Sequence, residues 1–218
     1  MHRNAKRAGF TMVEMLVVIG IILILMSAIM GGVLKMKKAA ANAKAQDLVT
    51  SAATALNAVL QADKNWPGYL IKASNASDPM LDRDACQPLI THKAFSISHE
   101  TDYSQDGDTY YRLTGQDRCG IADPWAAAML KTMNPSISGN SALNHRVPGG
   151  GTVKDHILRF AIDDDYDGIC NVRVAGQTIR VRAAAVVWGC GANGVFDDYA
   201  KAGHSDDVYS WTRSQVQK

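Results

Sequence analysis

The chain has 218 residues, and its 23 lysines and arginines against 21 aspartates and glutamates give a formal net charge of +2. A nucleic-acid-binding domain usually carries a strong excess of basic residues, so this near-balance argues against nucleic acid as a partner. Hydrophobic residues make up 47% and charged residues 20% of the chain, which excludes a disordered or collagen-like protein. Three basic residues, Arg3, Lys6 and Arg7, precede a long apolar run, so the N-terminus differs from the rest.

Residues 15–34 form an apolar segment of twenty residues without a charge. A helix of that length spans about 30 Å, the thickness of the hydrocarbon core of a bilayer. Basic residues flank both ends, and the short N-terminal side is expected in the cytoplasm. A cleaved secretory signal is the alternative, but its apolar region has about 7–15 residues and a polar mature chain follows it. Here an alanine-rich helical pattern follows, so we predict a retained membrane helix.

One carboxylate, that of Glu14, stands at the N-terminal edge of this apolar segment. A charged side chain costs about 2.5–3.5 kcal/mol at the centre of a bilayer and less near the interface, so such residues usually have a partner. No basic residue lies within the segment. Glu14 therefore either reaches the headgroups or pairs with a positive charge from another molecule.

Residues 9–14 read Gly-Phe-Thr-Met-Val-Glu, with a short basic leader before them and the apolar segment after them. This arrangement resembles the leader of type IV pilins and of the pseudopilins of type II secretion. The resemblance implies that a prepilin peptidase cleaves between Gly9 and Phe10 on the cytoplasmic side, and that Phe10 is N-methylated. It also implies that the ammonium group of Phe10 in one subunit pairs with Glu14 of its neighbour in a filament, whose core is the retained apolar helix.

The helical pattern continues through residues 35–62, which contain no proline or glycine. Spacings of three and four place an apolar stripe on one face: Leu48, Ala52, Leu56, Val59 and Leu60. We predict a helix from about Phe10 to Ala62, about 80 Å long. Pro67 ends it, because a proline disfavours helix at the residue before it. Residues 63–68, Asp-Lys-Asn-Trp-Pro-Gly, resemble the Asp-Asn-Gly-x-Tyr-Pro turn that follows the long helix of major pseudopilins.

The C-terminal part of the chain has the pattern of a small sheet. The strand candidates are residues 109–113, 157–162, 169–174 and 179–188, with a turn at 175–178. Arg180 and Arg182 alternate with Val181, as expected of a sheet with one solvated face. We predict an α+β fold of the pilin type, in which the long N-terminal helix packs against a small antiparallel sheet.

The prediction divides the chain into four parts: a cleaved basic leader (1–9), a transmembrane or filament-core helix (10–34), an amphipathic continuation of that helix (35–66) and a β-rich head (67–218). Within the head, residues 75–150 have dense turn signals and are interpreted as an insertion. Residues 123–125, Asp-Pro-Trp, resemble the Asp-Pro-Trp-Gly element of major pseudopilins, with Ala126 in place of the glycine.

A first acidic cluster lies in residues 163–168, where an Asp-x-Asp-x-Asp-Gly spacing resembles the start of a calcium loop of the EF-hand type. Asp163, Asp165 and Asp167 would point into one concavity, and the glycine allows the sharp turn. The twelfth loop position is Val174 and not glutamate, so the bidentate ligand is missing. A solvated turn between two strands is the alternative.

A second acidic cluster follows residues 191–194, Gly-Ala-Asn-Gly, near the C-terminus. It resembles the C-terminal calcium loop of major pseudopilins. The resemblance implies that a structural calcium ion is held by Asn193, Asp206 and Asp207, by the carbonyl of Val187, and by Asp197 or Asp198. Asn193 stands where the family has aspartate, so Asp197 or Asp198 would compensate for its missing charge. Calcium takes about six to eight oxygen ligands, and close carboxylates repel one another without a cation.

The four cysteines are an even number in the part of the chain expected outside the cytoplasm. They allow two disulfides, and proximity in sequence favours the pairs Cys86–Cys119 and Cys170–Cys190. Buried free thiols are the alternative. His156 and the other histidines of the head show no spacing of metal ligands and are interpreted as surface residues.

The sequence contains no His-Glu-x-x-His, Gly-x-Ser-x-Gly or Cys-x-x-Cys motif, and we predict that the protein is not an enzyme. We predict a structural subunit of a type II secretion pseudopilus, anchored in the bacterial inner membrane by one helix, with its head in the periplasm. The expected partners are further copies in a filament, other pseudopilins, the prepilin peptidase, the inner-membrane assembly platform and membrane lipid. A minor pseudopilin or a type IV pilin for adhesion, motility or DNA uptake is one alternative, and a membrane-anchored enzyme is another.

Overall fold

The computed structural model describes residues 11–81, 85–86, 89, 110–112, 119–126, 144–197 and 206–217. The contacts of the chain divide it into two compact units, Met1–Ala40 and Ala41–Lys218. The first unit contains the N-terminal half of one long helix. The second unit contains the remainder of that helix and the sheets of the head.

The long helix, α1, runs from Met12 to Asp63 and confirms the predicted N-terminal helix. It ends where Lys64 takes a left-handed conformation with φ 63° and donates its amide to the carbonyl of Leu60, at 2.9 Å. A single hydrogen bond of this kind is a common helix C-cap. Pro67 then directs the chain out of the helix.

In the first unit, the large apolar side chains of α1 from Met12 to Met36 are exposed. The helix is long and apolar enough to cross a membrane, by length and composition. A signal sequence near the N-terminus passes the same test. Soluble proteins rarely expose a continuous apolar surface of this extent, so lipid or neighbouring apolar helices are its natural cover.

In the second unit, α1 is buried along the predicted stripe and beyond it. Leu48, Ala52, Leu56 and Val59 are at most 7% exposed, and Leu60 packs against the same core. The contact face is wider than the stripe, because further side chains of the helix are also buried: Ala45, Val49, Ala53 and Ala55. A short helix, α2 (Gly68–Ser74), follows the turn and adds Leu70 to this core.

The described residues contain eight short strands: β1 (Tyr110–Arg112), β2 (Cys119–Ile121), β3 (Arg159–Ile162), β4 (Cys170–Val174), β5 (Gln177–Val181), β6 (Ala185–Gly189), β7 (Val208–Tyr209) and β8 (Val216–Gln217). All of their pairs are antiparallel. β1 pairs with β2, and the other strands form two three-stranded sheets in the orders β3-β6-β7 and β4-β5-β8.

Two details of the predicted sheet are wrong. The predicted strand 179–188 is two strands, β5 and β6, which belong to different sheets. The predicted turn 175–178 is shorter, because only Ala175 and Gly176 turn, with φ 48° and 77°, and Gln177 already pairs with Val174. Two positive φ values are typical of the tightest β-hairpin turns.

The β3-β6-β7 sheet lies between α1 and the β4-β5-β8 sheet. One face contributes Phe160 and Val187 to the core around Leu56 of α1. The other face contributes Val186 and Trp188 to a second core with the inner side chains of β4 and β5. The chain thus has an α+β, pilin-like architecture, with a long N-terminal helix and small antiparallel sheets. The single sheet of the prediction is replaced by a buried sheet and an outer one.

Candidate functional site: the helix start and the C-terminal acidic cluster

Glu14 has a partner inside its own chain, at the start of α1. The amide and the hydroxyl of Thr11 both donate to Oε2 of Glu14, at 2.8 and 2.9 Å. The amide of Glu14 in turn donates to the hydroxyl oxygen of Thr11, at 3.3 Å. This reciprocal pair is a capping box, which satisfies amides that the first helical turn leaves without partners.

This contact was not predicted from the sequence, although Thr-x-x-Glu before an apolar run is its recognised signature. The capping box holds the Glu14 carboxylate at the first turn of α1, on the exposed N-terminal edge. Hydrogen bonds from neutral groups leave its negative charge without a counter-charge. Gly9 and Phe10 lie outside the described residues, so their predicted roles stay predictions.

The C-terminal acidic cluster is formed by Asp197, Asp206 and Asp207, and one carboxylate oxygen from each lies within 4.8 Å of the other two. The amide of Asn193 donates to Oδ2 of Asp206, at 3.0 Å. Oδ2 of Asp207 accepts the amide of Asp197 at 2.9 Å and the hydroxyl of Tyr209 at 2.8 Å. These bonds orient carboxylates from two separate segments of the chain toward one point.

The geometry of this cluster fits a cation. Oδ1 of Asp206 is buried, and it has no hydrogen-bond partner among the described residues. Burial, together with the charges of Asp197 and Asp206, raises the pKa of Asp207 to about 6. A buried oxygen without a partner costs free energy, and calcium binds such carboxylate oxygens. These three carboxylates could therefore supply part of the oxygen ligands of a calcium ion.

The structure brings together only part of the predicted ligand set. Oδ1 of Asn193 accepts the amide of Val195 at 2.8 Å, and its amide group donates to Asp197 at 3.4 Å, so its oxygen serves the local turn. The carbonyl of Val187, inside β6, accepts the amide of Ser210 at 3.0 Å and is used in the sheet. Asp198 lies outside the described residues.

The Asp163 loop also gathers three carboxylates, those of Asp163, Asp165 and Asp167, within 4.8 Å. Unlike in the C-terminal acidic cluster, no buried carboxylate oxygen of this loop is left without a hydrogen-bond partner among the described residues. Both oxygens of Asp163 accept amides, from Asp167 at 3.1 Å and from Gly168 at 2.8 Å. Asp167 accepts the amide of Ile169 at 2.8 Å. These bonds are those of a tight turn between β3 and β4, and the predicted calcium role of the loop stays a prediction.

The Asp163 loop is attached to the turn that follows α1. Nε1 of Trp66 donates to the carbonyl of Asp163, and the amide of Trp66 donates to the hydroxyl of Tyr166, both at 2.7 Å. Trp66 is only 4% exposed. The loop therefore fixes the end of the helix against β3, which is a structural role.

The predicted disulfide Cys170–Cys190 is wrong, because both residues are buried free thiols. Sγ of Cys170 donates to the carbonyl of Ala183, at 3.0 Å, and Sγ of Cys190 donates to the carbonyl of Asp155, at 3.2 Å. Proximity in sequence did not predict proximity in space, since Cys170, in β4, and Cys190, which directly follows β6, face different neighbours. The pair Cys86–Cys119 stays a prediction, because the side chain of Cys119 lies outside the described residues.

Asp123, His156 and Cys190 form a buried polar cluster. No sequence motif predicts it. Nδ1 of His156 lies 2.7 Å from Oδ2 of Asp123 and 3.8 Å from Sγ of Cys190, and Nε2 lies 2.9 Å from the carbonyl oxygen of Gly150. The interpretation of His156 as a surface residue is wrong, since its exposure is 0%. Asp123 and Cys190 share one ring nitrogen, unlike a catalytic triad, in which the two partners occupy opposite nitrogens.

The ring of His156 faces an acceptor at each nitrogen, so only its doubly protonated, charged form donates to both. Burial opposes this charge, but hydrogen bonds with Asp123 and Cys190 and the charge of Asp123 outweigh it and raise the pKa of His156 to about 10. Burial also raises the pKa of Asp123, whereas His156 and two backbone amides favour its ionised form. The hydrogen-bond geometry supports an imidazolium–carboxylate pair, and this pair needs no cation.

We expect the stability of the protein to fall as the pH rises from 7 toward 10. The pKa of His156 is raised from 6.5 to about 10 in the folded state. The contribution of His156 to the free energy of unfolding is therefore complete below pH 6.5 and is lost progressively as the pH rises to about 10. The free energy of unfolding should fall with a slope of at most about 1.4 kcal/mol per pH unit. Urea unfolding at several pH values should show this slope, and a His156→Asn variant should lack it. Equal slopes in both proteins would contradict the charged pair.

Residues 4–30 match the family of the prokaryotic N-terminal methylation motif. The matched segment contains Gly9, Phe10 and Glu14, together with the apolar start of α1. No curated protein and no solved structure matches the chain.

Proposed function

We propose, from the premise that the chain is a pilin-type protein with a prokaryotic N-terminal methylation motif, that it is a structural subunit of a type II secretion pseudopilus. The single observation that carries the proposal is the match at residues 4–30, followed by a helix long and apolar enough to cross a membrane. Pilin-type proteins assemble into filaments with other pilin subunits. The small sheets that follow α1 agree with that architecture.

The proposed sequence of events uses the exposed apolar half of α1 twice. The subunit first resides in the bacterial inner membrane, where lipid covers the side chains from Met12 to Met36, with the head in the periplasm. Prepilin peptidase then removes residues 1–9, which creates an amino group on Phe10 that is methylated. At the assembly platform, the helices of neighbouring subunits replace the lipid. The Phe10 amine of one subunit then neutralises Glu14 of another.

The C-terminal acidic cluster supports a secretion pseudopilin over the other members of the family. Its carboxylates, from Asp197, Asp206 and Asp207, converge as a structural calcium site would require. In this proposal the ion joins the segment after β6 to the segment before β7. It would hold the end of the head together without taking part in chemistry.

A minor pseudopilin or a type IV pilin is the second candidate. The observation that favours it is the length of the head, in which residues 75–150 exceed what a major pseudopilin head usually contains. Such an addition suits a subunit at a filament tip or one that contacts a ligand. A deletion of the encoding gene would separate the candidates: loss of protein export supports the first, and loss of adhesion, motility or DNA uptake supports the second.

Processing by prepilin peptidase is the direct test of the proposed class. A Gly9→Leu variant should remain uncleaved when it is co-expressed with a prepilin peptidase, whereas the natural chain should lose residues 1–9. Intact-protein mass spectrometry reports both states. Gly20→Ala is the matched control: Gly20 also lies in the matched motif, but a Cβ there meets open space. Cleavage of the Gly9 variant, or none of the natural chain, would count against the proposal.

A further inference from the structure

Two loops contact each other backbone to backbone beside the C-terminal acidic cluster. The first, which we call the glycine loop, is residues 149–151, three successive glycines with positive φ. The second, which we call the ligand loop, is residues 191–194 and carries Asn193. A Cβ on Gly150 would overlap the carbonyl oxygen of Asn193. The contact therefore exists only because Gly150 has no side chain.

A second contact of the same kind lies one residue further along both loops. A Cβ on Gly151 would lie 2.8 Å from both Cα and the carbonyl oxygen of Gly194. Real Cβ atoms essentially never approach another heavy atom this closely, so an alanine at this position must push the glycine loop and the ligand loop apart. The contacting atoms belong to the backbone, so no side chain can change its rotamer to make room. Protein interiors are close-packed, so the backbone itself has to move.

The glycine loop is itself fixed by the buried charge pair. The carbonyl oxygen of Gly150 lies 2.9 Å from Nε2 of His156, whose Nδ1 lies 2.7 Å from Asp123. His156 and Asp123 are at most 1% exposed. The amide of Gly150 also donates to the carbonyl of Val147, at 3.1 Å. These bonds hold the glycine loop in place beside the ligand loop.

The ligand loop contacts Asp206 of the acidic cluster directly. The amide of Asn193 donates to Oδ2 of Asp206, at 3.0 Å, which leaves the buried Oδ1 of Asp206 facing away from that bond. A Cβ on Gly191 would overlap the carbonyl oxygen of Asp206, so the loop also packs against the backbone of this residue. A shift of Asn193 would therefore move the carboxylate that it orients.

We propose that the glycine loop is a positioning element for the C-terminal acidic cluster. His156 holds the glycine loop, and the glycine loop packs against the ligand loop and fixes its position. In that position the backbone amide of Asn193 orients the carboxylate of Asp206 for a cation. The inference rests on the proposed calcium role of that cluster. Groups that orient metal ligands from outside the coordination sphere typically change metal affinity by about 10–100-fold when they are altered. No segment of the glycine loop needs to touch the ion.

Calcium affinity of the full chain in detergent micelles, measured by isothermal titration calorimetry, tests the proposal. Gly150→Ala and Gly151→Ala should bind calcium about tenfold more weakly or worse. Gly176→Ala is the matched control: its φ of 77° is close to the 66° of Gly151, but a Cβ there meets nothing within 4 Å. It carries the same backbone strain without the contact and should keep the affinity of the natural chain.

Hydrogen exchange of the amides in the ligand loop, in the metal-free protein, is the second readout. These amides should exchange faster in Gly151→Ala than in Gly176→Ala. If Gly150→Ala does not fold, the milder Gly151→Ala decides. Equal calcium affinity in all folded variants overturns the positioning role while calcium binding stands. If the natural chain binds no calcium, the calcium role fails, and equal exchange rates in the variants would then overturn the positioning role as well.

Discussion

A Glu14→Gln variant should be processed like the natural chain but should fail to form filaments. Glutamine at this position keeps the capping box, because its side-chain oxygen can still accept the Thr11 amide. It lacks the negative charge that we propose to pair with the Phe10 amine of a neighbour. Removing one partner of a buried ion pair costs about 3–5 kcal/mol at each contact. Sheared filament yield from cells, with the mass of the mature chain as the processing check, measures the result.

Two further variants separate the charge from the helix cap. Glu14→Leu loses both and should also fail to assemble. Thr11→Val removes the hydroxyl that takes part in the capping box but keeps the carboxylate. It should cost about 1 kcal/mol of helix stability and should still assemble. Normal filament yield from Glu14→Gln, with loss of yield from Thr11→Val, would show that the cap and not the charge matters.

Removal of calcium should lower the melting temperature of the full chain in detergent by about 5–10 °C, relative to calcium at a hundredfold excess over its dissociation constant. Such an excess stabilises the folded state by about 2.7 kcal/mol, and each kcal/mol shifts the midpoint by about 2–4 °C in a chain of this size. Tryptophan fluorescence suits the measurement, because Trp211 lies 4.8 Å from Tyr209, whose hydroxyl binds Asp207.

The double variant Asp206→Asn with Asp207→Asn should not respond to the chelator. Without calcium it should be at least as stable as the metal-free natural chain, because the repulsion between close carboxylates is gone. Asp165→Asn with Asp167→Asn is the matched control in the Asp163 loop, and it should keep the calcium response. An unchanged melting curve of the natural chain with chelator would remove calcium from the account. A response lost only in the control would move the ion to the Asp163 loop.

The long helix could be predicted from the sequence because its determinants are local. An uncharged apolar run, a stretch without proline or glycine, and Pro67 after it are sufficient for a helix of nearly the observed length. The leader motif before it is equally local, and the match at residues 4–30 agrees with it. The Thr11–Glu14 capping box is also determined by local sequence, and it could have been predicted from its Thr-x-x-Glu signature.

The sheet topology could not be predicted, because it depends on how strands are covered. β6 is buried on both faces, so its residues, Ala185–Gly189, lack the alternation that marks a strand with one wet face. The run 179–188 therefore reads as one continuous strand, although the chain leaves one sheet and enters another within it. The alternation of Arg180 and Arg182 with Val181 passes into the apolar residues of β6 without a proline or glycine that would mark the change of sheet.

The buried pair of Asp123 and His156 is also beyond sequence reasoning, since 33 residues separate its members and no motif links them. The acidic cluster also joins residues that are apart in the chain, Asp197 and Asp206, and here only a resemblance could bring them together from the sequence. Resemblance to a known loop pointed to the aspartates that converge there. It did not indicate that Asn193 would act through its backbone amide.

N-terminal mass spectrometry of the mature chain, purified from its native membrane, examines the filament interpretation most directly. The account predicts a chain that begins at Phe10, carries one methyl group on its terminal nitrogen, and retains the whole of α1. A chain that still begins at Met1, or one that begins beyond the apolar half of α1, has no such amine beside Glu14. Either result would contradict assembly by charge pairing.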